Sequence, residues 1–200
     1  LERIGDRQGL VRELATIADV SDGVIRGLVK VGAIEAVEVD IDSPFPLPDP
    51  DHDVPILSDE QQRAADVLTA DVAAHAFKPT LLDGVTGSGK TEVYFEAIAA
   101  AIRAGRQTLV LLPEIALTGT FLDRFARRFG TRPAEWHSDM TPAQRTRTWR
   151  GINDGTVRAV VGARSALFLP FHELGLVVLD EEHDQAYKQD DGAHYHARDM

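Results

Sequence analysis

The stretch that decides the fold lies at residues 84–91 and reads Gly84-Val85-Thr86-Gly87-Ser88-Gly89-Lys90-Thr91. It satisfies the pattern G-x-x-x-x-G-K-[ST] at every fixed position, and its flanks favour a strand before the loop and a helix after it. Glycines allow successive backbone N–H groups to turn toward phosphates, and the helix start adds its positive dipole end. We predict an ATP-binding loop in which Lys90 reaches the β- and γ-phosphates and the Thr91 hydroxyl holds Mg²⁺.

An acidic motif follows about 90 residues further along the chain. An apolar run ends in Asp180 and Glu181, which Glu182 and His183 follow directly. Two adjacent carboxylates at a strand end repel each other, and a divalent cation together with a reacting water explains them. We predict that Asp180 holds Mg²⁺ and that Glu181 orients the water that attacks the γ-phosphate. Lys90, Asp180 and Glu181 are therefore the candidate catalytic residues, with ATP and Mg²⁺ as the expected ligands.

Helical and apolar segments alternate from residue 57 onward. The patterns predict helices over 59–77, 90–104, 115–129 and 142–153, and strands over 80–85, 108–112, 134–137, 157–161 and 174–179. Continuous apolar strands separated by helices are typical of a parallel sheet that is buried on both faces. We therefore predict an α/β P-loop NTPase domain over 57–200.

The first 56 residues differ in character from the rest. Residues 1–40 show helix, turn, helix and strand signals, which are compatible with a small winged-helix-like unit or with a purely structural appendage. Residues 41–56 hold five prolines and several aspartates, a composition that predicts an exposed, extended linker. The domain boundary is expected in this linker.

Charge and composition restrict the possible partners. The net charge of −11 disfavours nucleic acid, but residues 121–165 carry nine arginines and form the candidate DNA face. For most of these arginines, a solvated helix face is the favoured interpretation. The sequence has no cysteine and no apolar run of the roughly 20 residues that a membrane span needs. These features predict a cytoplasmic protein without a membrane partner.

Several motifs together resemble a known family. The acidic motif DEEH is similar to the DExH box of superfamily-two helicases. GVTGSGKTEVY at 84–94, LPEIALT at 112–118, RSALF at 164–168 and DEEHD at 180–184 resemble the primosomal protein N′ family of bacterial replication-restart helicases. The resemblance covers residues 57–200 and implies the first RecA-like lobe of a three-prime to five-prime DNA helicase, incomplete at its C-terminal end. It also implies a nucleoid-associated protein.

The resemblance also implies roles for individual residues. Gln61 would read the adenine base, and His183 would sense the nucleotide. The expected DNA-binding or coupling residues are Pro113, Thr118, His137, Ser138, Arg164, Ser165, Tyr187, Lys188, Tyr195 and His196. Forked or single-stranded DNA, primosome proteins and single-strand-binding protein are the implied partners. Zinc is expected only in a C-terminal part of the parent protein, outside these 200 residues.

Other interpretations stay open at this point. A P-loop kinase of another class would share the glycine loop but would leave the DEEH box unexplained. A scaffold that binds nucleotide or DNA without turnover is also compatible with the motifs. His194 and His196 are a weaker alternative as metal ligands, because no third ligand stands at a suitable spacing.

Overall fold

The structure is a computed structural model that describes residues 11–34, 45–113, 119–189 and 195–199. The chain divides into two compact units, Leu1–Ile41 and Asp42–Met200. In the first unit, helices α1 (Val11–Ala18) and α2 (Asp22–Lys30) pack through Leu14, Ala15 and Ile25. The strand expected after α2 falls mostly on residues 35–40, which lie outside the described residues. The winged-helix-like assignment and the domain boundaries therefore stay predictions.

The second unit alternates helices with short strands. Its helices are α3 (Asp59–Ala73), α4 (Lys90–Arg103), α5 (Gly119–Phe129) and α6 (Pro142–Asn153). Its main strands are β1 (Gln107–Leu111), β2 (Ala134–Trp136), β3 (Ala159–Gly162) and β4 (Leu174–Leu179). Two-residue strands β5 (Lys188–Gln189) and β6 (Tyr195–His196) pair antiparallel. Within the described ranges, three short 3₁₀ helices, which the sequence patterns did not indicate, span Arg164–Phe168, Gln185–Tyr187 and Ala197–Asp199.

The four main strands form one parallel sheet in the order β2-β3-β1-β4. Side chains alternate between the two faces along β1, as strand geometry requires. Val110 joins the aromatic core formed by α4 and α5, whereas Leu109 and Leu111 join the core on the opposite side. All five residues of β1 are buried, which fits a central strand covered on both faces. The predicted α/β fold with a parallel sheet is confirmed.

The strand predicted over 80–85 is not formed. Residues 77–85 have no regular structure, and Leu81 and Val85 are 77% and 79% exposed. A strand needs a neighbour to bond its backbone groups. Among the described residues, β4 is the last strand in the order β2-β3-β1-β4 and pairs only with β1. The apolar composition of 80–85 therefore indicated a strand, but the segment forms no backbone ladder with the described part of the chain.

Residues 45–53 of the predicted linker are mostly exposed, but hydrogen bonds hold them against α4 and α5. The backbone N–H of Asp49 donates to the Phe129 carbonyl at 2.9 Å, and Arg128 donates to the Pro50 carbonyl at 2.9 Å. Pro48 is buried. Arg128 also bonds to Glu96 at 2.9 Å and is only 5% exposed, so the pair fixes α4, α5 and this segment together. Proline content predicted the extended backbone but not these arginine contacts.

Candidate nucleotide site and acidic box

The glycine loop, residues 84–89, leads directly into α4. Gly87 and Gly89 both have φ of +81°, a left-handed conformation that residues with a Cβ rarely adopt. Gly89 precedes Lys90 as the N-terminal cap residue of α4. A Cβ on Gly89 would lie 2.3 Å from Nε2 of Gln61, so side-chain space is closed there as well. The loop therefore depends on glycine for its conformation and for the close approach of Gln61.

Lys90 and Gln61 both bond to the backbone of this loop. The Lys90 ammonium donates to the Gly84 carbonyl at 2.7 Å and lies 3.3 Å from the Val85 carbonyl. Gln61 Nε2 donates to the Ser88 carbonyl at 2.9 Å, while its Oε1 accepts from the Ser58 N–H and completes a capping box on α3. Gln61 thus connects the start of α3 to the glycine loop. Its adenine-reading role stays a prediction.

The acidic box begins where β4 ends. The Asp180 N–H donates to the Leu111 carbonyl at 3.1 Å, and Asp180 Oδ1 accepts from the Glu181 N–H at 3.0 Å. Glu181 has φ of +53°, an uncommon left-handed value for a residue with a Cβ. The Glu181 and His183 side chains are 56% and 77% exposed, with 3.5 Å between Oε2 and Nε2. The chain therefore turns sharply after Asp180 and presents the Glu181 carboxylate to solvent.

Tyr94 connects the glycine loop with the acidic box. Its hydroxyl donates to Asp180 Oδ2 at 2.9 Å across 86 residues of sequence. Burial first, and the Asp180 carboxylate second, raise the pKa of the Tyr94 hydroxyl, whereas a hydrogen bond with the Thr91 side chain lowers it. The Tyr94 hydroxyl therefore connects Asp180 with α4, on which Thr91 lies three residues before Tyr94. Thr91 and Asp180 are the two residues that the sequence predicted as Mg²⁺ ligands.

The donor set at this point fits magnesium. Mg²⁺ is a hard cation that prefers oxygen ligands, and it is usually held by one or two carboxylates together with substrate phosphates. The Thr91 hydroxyl and the Asp180 carboxylate, both near Tyr94, provide such oxygens. Sequence reasoning assigned no role to Tyr94, although Thr91 and Tyr94 stand three apart on α4, a spacing that places side chains on one helix face.

Tyr187, predicted as a DNA-binding or coupling residue, lies in the core, where its ring cannot stack on unpaired bases. The side chain is 0% exposed. Its hydroxyl lies 2.8 Å from the Leu111 carbonyl and 2.6 Å from the Asp180 carbonyl, so it joins the carboxyl ends of β1 and β4. Burial and three neighbouring carboxylates, Asp180 foremost, raise the pKa of Tyr187 as well. Tyr187 is a core residue that anchors the segment after the box.

Arg164 anchors the same segment. Its Nη1 donates to the Ala186 carbonyl at 3.2 Å and also to the Lys188 carbonyl. Arg164 was predicted as a DNA contact, but these bonds are made within the chain. Ser165 beside it is exposed, as is Lys188. The post-box segment is therefore fixed by Arg164 from one side and by Tyr187 from the core.

The remaining predicted DNA-binding residues lie at the carboxyl ends of strands or nearby. His137 and Ser138 follow β2, and Arg145 donates to both of their carbonyls, at 3.0 and 3.2 Å. Pro113 is buried just after β1. Thr118 lies outside the described residues. His196 is partly buried on β6, next to Tyr195, and the roles of all these residues stay predictions.

The arginine-rich stretch 121–165 is less available than its composition indicated. Arg124 bonds to Glu92 at 3.0 Å. Seven of its nine arginines make contacts within the chain: Arg124, Arg128, Arg132, Arg145, Arg147, Arg158 and Arg164. The interpretation of most of these arginines as a DNA face is therefore weakened, and structural pairing explains them.

Comparison with known proteins defines the class to which this arrangement belongs. Residues 58–200 match the family described as DEAD/DEAH box helicase. This match covers both the glycine loop and the acidic box, and it spans most of the chain. The chain belongs to the DEAD/DEAH box helicase family.

Individual relatives narrow the similarity further. The chain is 53% identical over 146 residues to the replication restart protein PriA of Rickettsia felis, covering 73% of this chain and 22% of that protein. It is 38% identical over 190 residues to the PriA of Bacillus subtilis, covering 94% of this chain and 24% of that protein. The resemblance to replication-restart helicases is confirmed, and the chain spans about a quarter or less of the length of these relatives.

One further structural property concerns membranes. Within the described ranges, every helix is too short or too polar to cross a bilayer.

Proposed function

We propose that this chain is the ATP-hydrolysing motor lobe of a three-prime to five-prime DNA helicase that acts in restart of stalled replication forks and in primosome assembly. The observation that carries the proposal is the Tyr94–Asp180 hydrogen bond, which places the acidic box beside the helix that begins at the glycine loop. Relatives named as replication restart proteins support the fork-restart role. We place the protein in the cytoplasm, associated with the nucleoid.

Different residues bind ATP, hold Mg²⁺ and activate the attacking water. Backbone N–H groups of residues 84–91 and the Lys90 ammonium bind the phosphates of ATP, and Gln61 contacts the adenine base. Thr91 and Asp180 hold Mg²⁺, which neutralises charge on the phosphates when it is bound. Glu181 orients the attacking water, and its solvent-facing carboxylate can accept the water's proton. Together these roles require the glycine loop and the acidic box to line one nucleotide site.

DNA contacts are proposed at the carboxyl edge of the sheet and just after it. Exposed Ser138, Ser165 and Lys188 offer hydroxyl and ammonium groups suited to phosphate. Pro113, Thr118, His137, Tyr195 and His196 are proposed to line the same path, and Arg164 and Tyr187 to support it from within the chain. Forked or single-stranded DNA is the proposed nucleic-acid partner, with primosome proteins and single-strand-binding protein as protein partners.

We expect residues 1–200 alone to hydrolyse ATP slowly, because motors of this class receive a charge-stabilising arginine from a second lobe, worth about 10³- to 10⁵-fold in rate. The test measures ATP hydrolysis by the 200-residue chain and by a longer protein that includes a second lobe, each with and without forked DNA. The longer protein is expected to be strongly stimulated by forked DNA. Robust stimulated turnover by the 200 residues alone would contradict the need for a second lobe. Phosphorylation of a metabolite without any effect of DNA would instead indicate a kinase.

A further inference from the structure

We infer that Tyr94 is a positioning residue for the proposed ATPase reaction: its hydrogen bond holds the Asp180 carboxylate at a fixed position relative to α4, on which Thr91 lies, as a shared Mg²⁺ requires. The inference rests on the proposed function, since it concerns the ligands of the metal that accompanies ATP. It adds a residue outside both motifs, because Tyr94 is neither part of the glycine loop nor of the acidic box.

The Asp180 carboxylate is held at both of its oxygens. Oδ1 accepts from the Glu181 N–H at 3.0 Å, and Oδ2 accepts from the Tyr94 hydroxyl at 2.9 Å. A carboxylate has roughly four lone-pair sites, so one on each oxygen remains for a metal ion or its water. Two donors on opposite oxygens fix the rotation of the carboxylate group. Hydrogen bonds to a charged acceptor are also stronger than neutral ones.

Packing on α4 fixes the Tyr94 end of the Tyr94–Asp180 hydrogen bond. Tyr94 is 5% exposed and lies in the first turns of α4, whose first residue is Lys90. Its ring packs edge-on against Phe95, with 5.4 Å between the ring centroids. Since Thr91 lies on the same helix, any displacement of α4 moves Tyr94 and Thr91 together. Tyr94 therefore keeps Asp180 at a fixed position relative to the glycine loop, which neither the loop nor the acidic box does alone.

Core packing explains the aromatic ring of Tyr94 but not its hydroxyl group. A phenylalanine at position 94 would fill the same aromatic core, in which Phe95, Phe125 and Phe129 already take part. The tyrosine oxygen adds a donor where this buried helix residue meets the acidic box. Outer partners that hydrogen-bond a metal-ligating carboxylate typically contribute 10- to 100-fold in metal affinity or activity.

The test is Tyr94→Phe, with the Mg²⁺ dependence of nucleotide binding as its main measurement. A fluorescent ADP analogue is titrated onto the 200-residue chain at a series of Mg²⁺ concentrations, and thermal unfolding is followed in parallel. We expect the Mg²⁺ concentration for half-maximal binding to rise about tenfold, while binding without Mg²⁺ and the unfolding temperature change little. An unchanged Mg²⁺ midpoint in a variant that still binds nucleotide overturns the inference. If the unsubstituted chain itself fails to bind nucleotide, the proposed function fails instead.

Two further variants separate a positioning role from general damage. Thr108→Val removes a buried hydroxyl that lies 3.4 Å from the Arg158 carbonyl, at the end of β1 opposite the acidic box. It should leave the Mg²⁺ midpoint within about twofold of the original, with at most a small drop in the unfolding temperature. Equal shifts of the midpoint in Tyr94→Phe and Thr108→Val would overturn the inference.

The second variant tests the route through Asp180. Asp180→Asn should raise the Mg²⁺ midpoint, and adding Tyr94→Phe to it should raise the midpoint little further, because Tyr94 acts through that carboxylate. Independent, multiplying effects of the two substitutions would mean that Tyr94 acts elsewhere and would overturn the inference.

Discussion

Replacing Lys90 with alanine is expected to reduce ATP hydrolysis about 10²- to 10³-fold in a protein that contains both motor lobes, while DNA binding is retained. The ammonium lies within 2.7 Å of the Gly84 carbonyl, at the loop proposed to hold the phosphates, so its loss removes fixed positive charge where negative charge develops. The rate of ATP hydrolysis and the binding of labelled forked DNA, measured on the same preparation, check both halves of this prediction.

A lysine elsewhere in the chain provides the matched control. Lys78 pairs with Asp71 and is 57% exposed, so Lys78→Ala removes the same charge at a surface position that has no proposed role. It should hydrolyse ATP and bind DNA as the unsubstituted protein does. If Lys90→Ala weakens DNA binding as severely as hydrolysis, the assignment of Lys90 to the phosphates is wrong.

Replacing Tyr187 with alanine is expected to lower the free energy of unfolding by about 3–5 kcal/mol, the usual cost of deleting a buried aromatic ring. The side chain is fully buried, and its hydroxyl lies 2.8 and 2.6 Å from the Leu111 and Asp180 carbonyls, so its loss leaves a cavity and removes hydrogen bonding between the ends of two neighbouring strands. Urea unfolding of the 200-residue chain, followed by circular dichroism, measures the change.

The conservative variant distinguishes a core role from a nucleic-acid role. Tyr187→Phe keeps the ring and should lose only about 1 kcal/mol, the net value of a typical hydrogen bond. A Tyr187→Ala chain with unchanged stability but weaker DNA stimulation of the ATPase would restore the stacking role that the sequence indicated.

The glycine loop and the acidic box could be predicted from sequence because each combines a local pattern with a chemical need. Gly87 and Gly89 have the positive φ that makes glycine necessary, and the box follows a strand of the parallel sheet. Ser58 forms the cap expected at the start of α3. These features depend on backbone preferences within a few residues, which a single sequence displays directly.

Tertiary contacts account for what could not be predicted. Tyr187 stands among polar and basic residues, a context that indicates an exposed loop, yet two backbone carbonyls and the core beneath them bury it. The hydrogen bond between Tyr94 and Asp180 joins positions 86 residues apart, and no local pattern reports such a contact. The strand predicted at 80–85 failed for the same reason: a strand forms only when another segment pairs with it, and a local apolar pattern does not report that pairing.

The central claim is that residues 84–91 and the acidic box bind one nucleotide between them. Amide resonances of the ¹⁵N-labelled 200-residue chain, recorded by nuclear magnetic resonance during addition of ADP with Mg²⁺, test this claim most directly. We predict that the largest shifts fall on the amides of residues 86–91 and on those of Asp180 and Glu181, and that Lys90→Ala reduces both sets together. Shifts confined to other regions, with these two groups of amides unmoved, would contradict the claim.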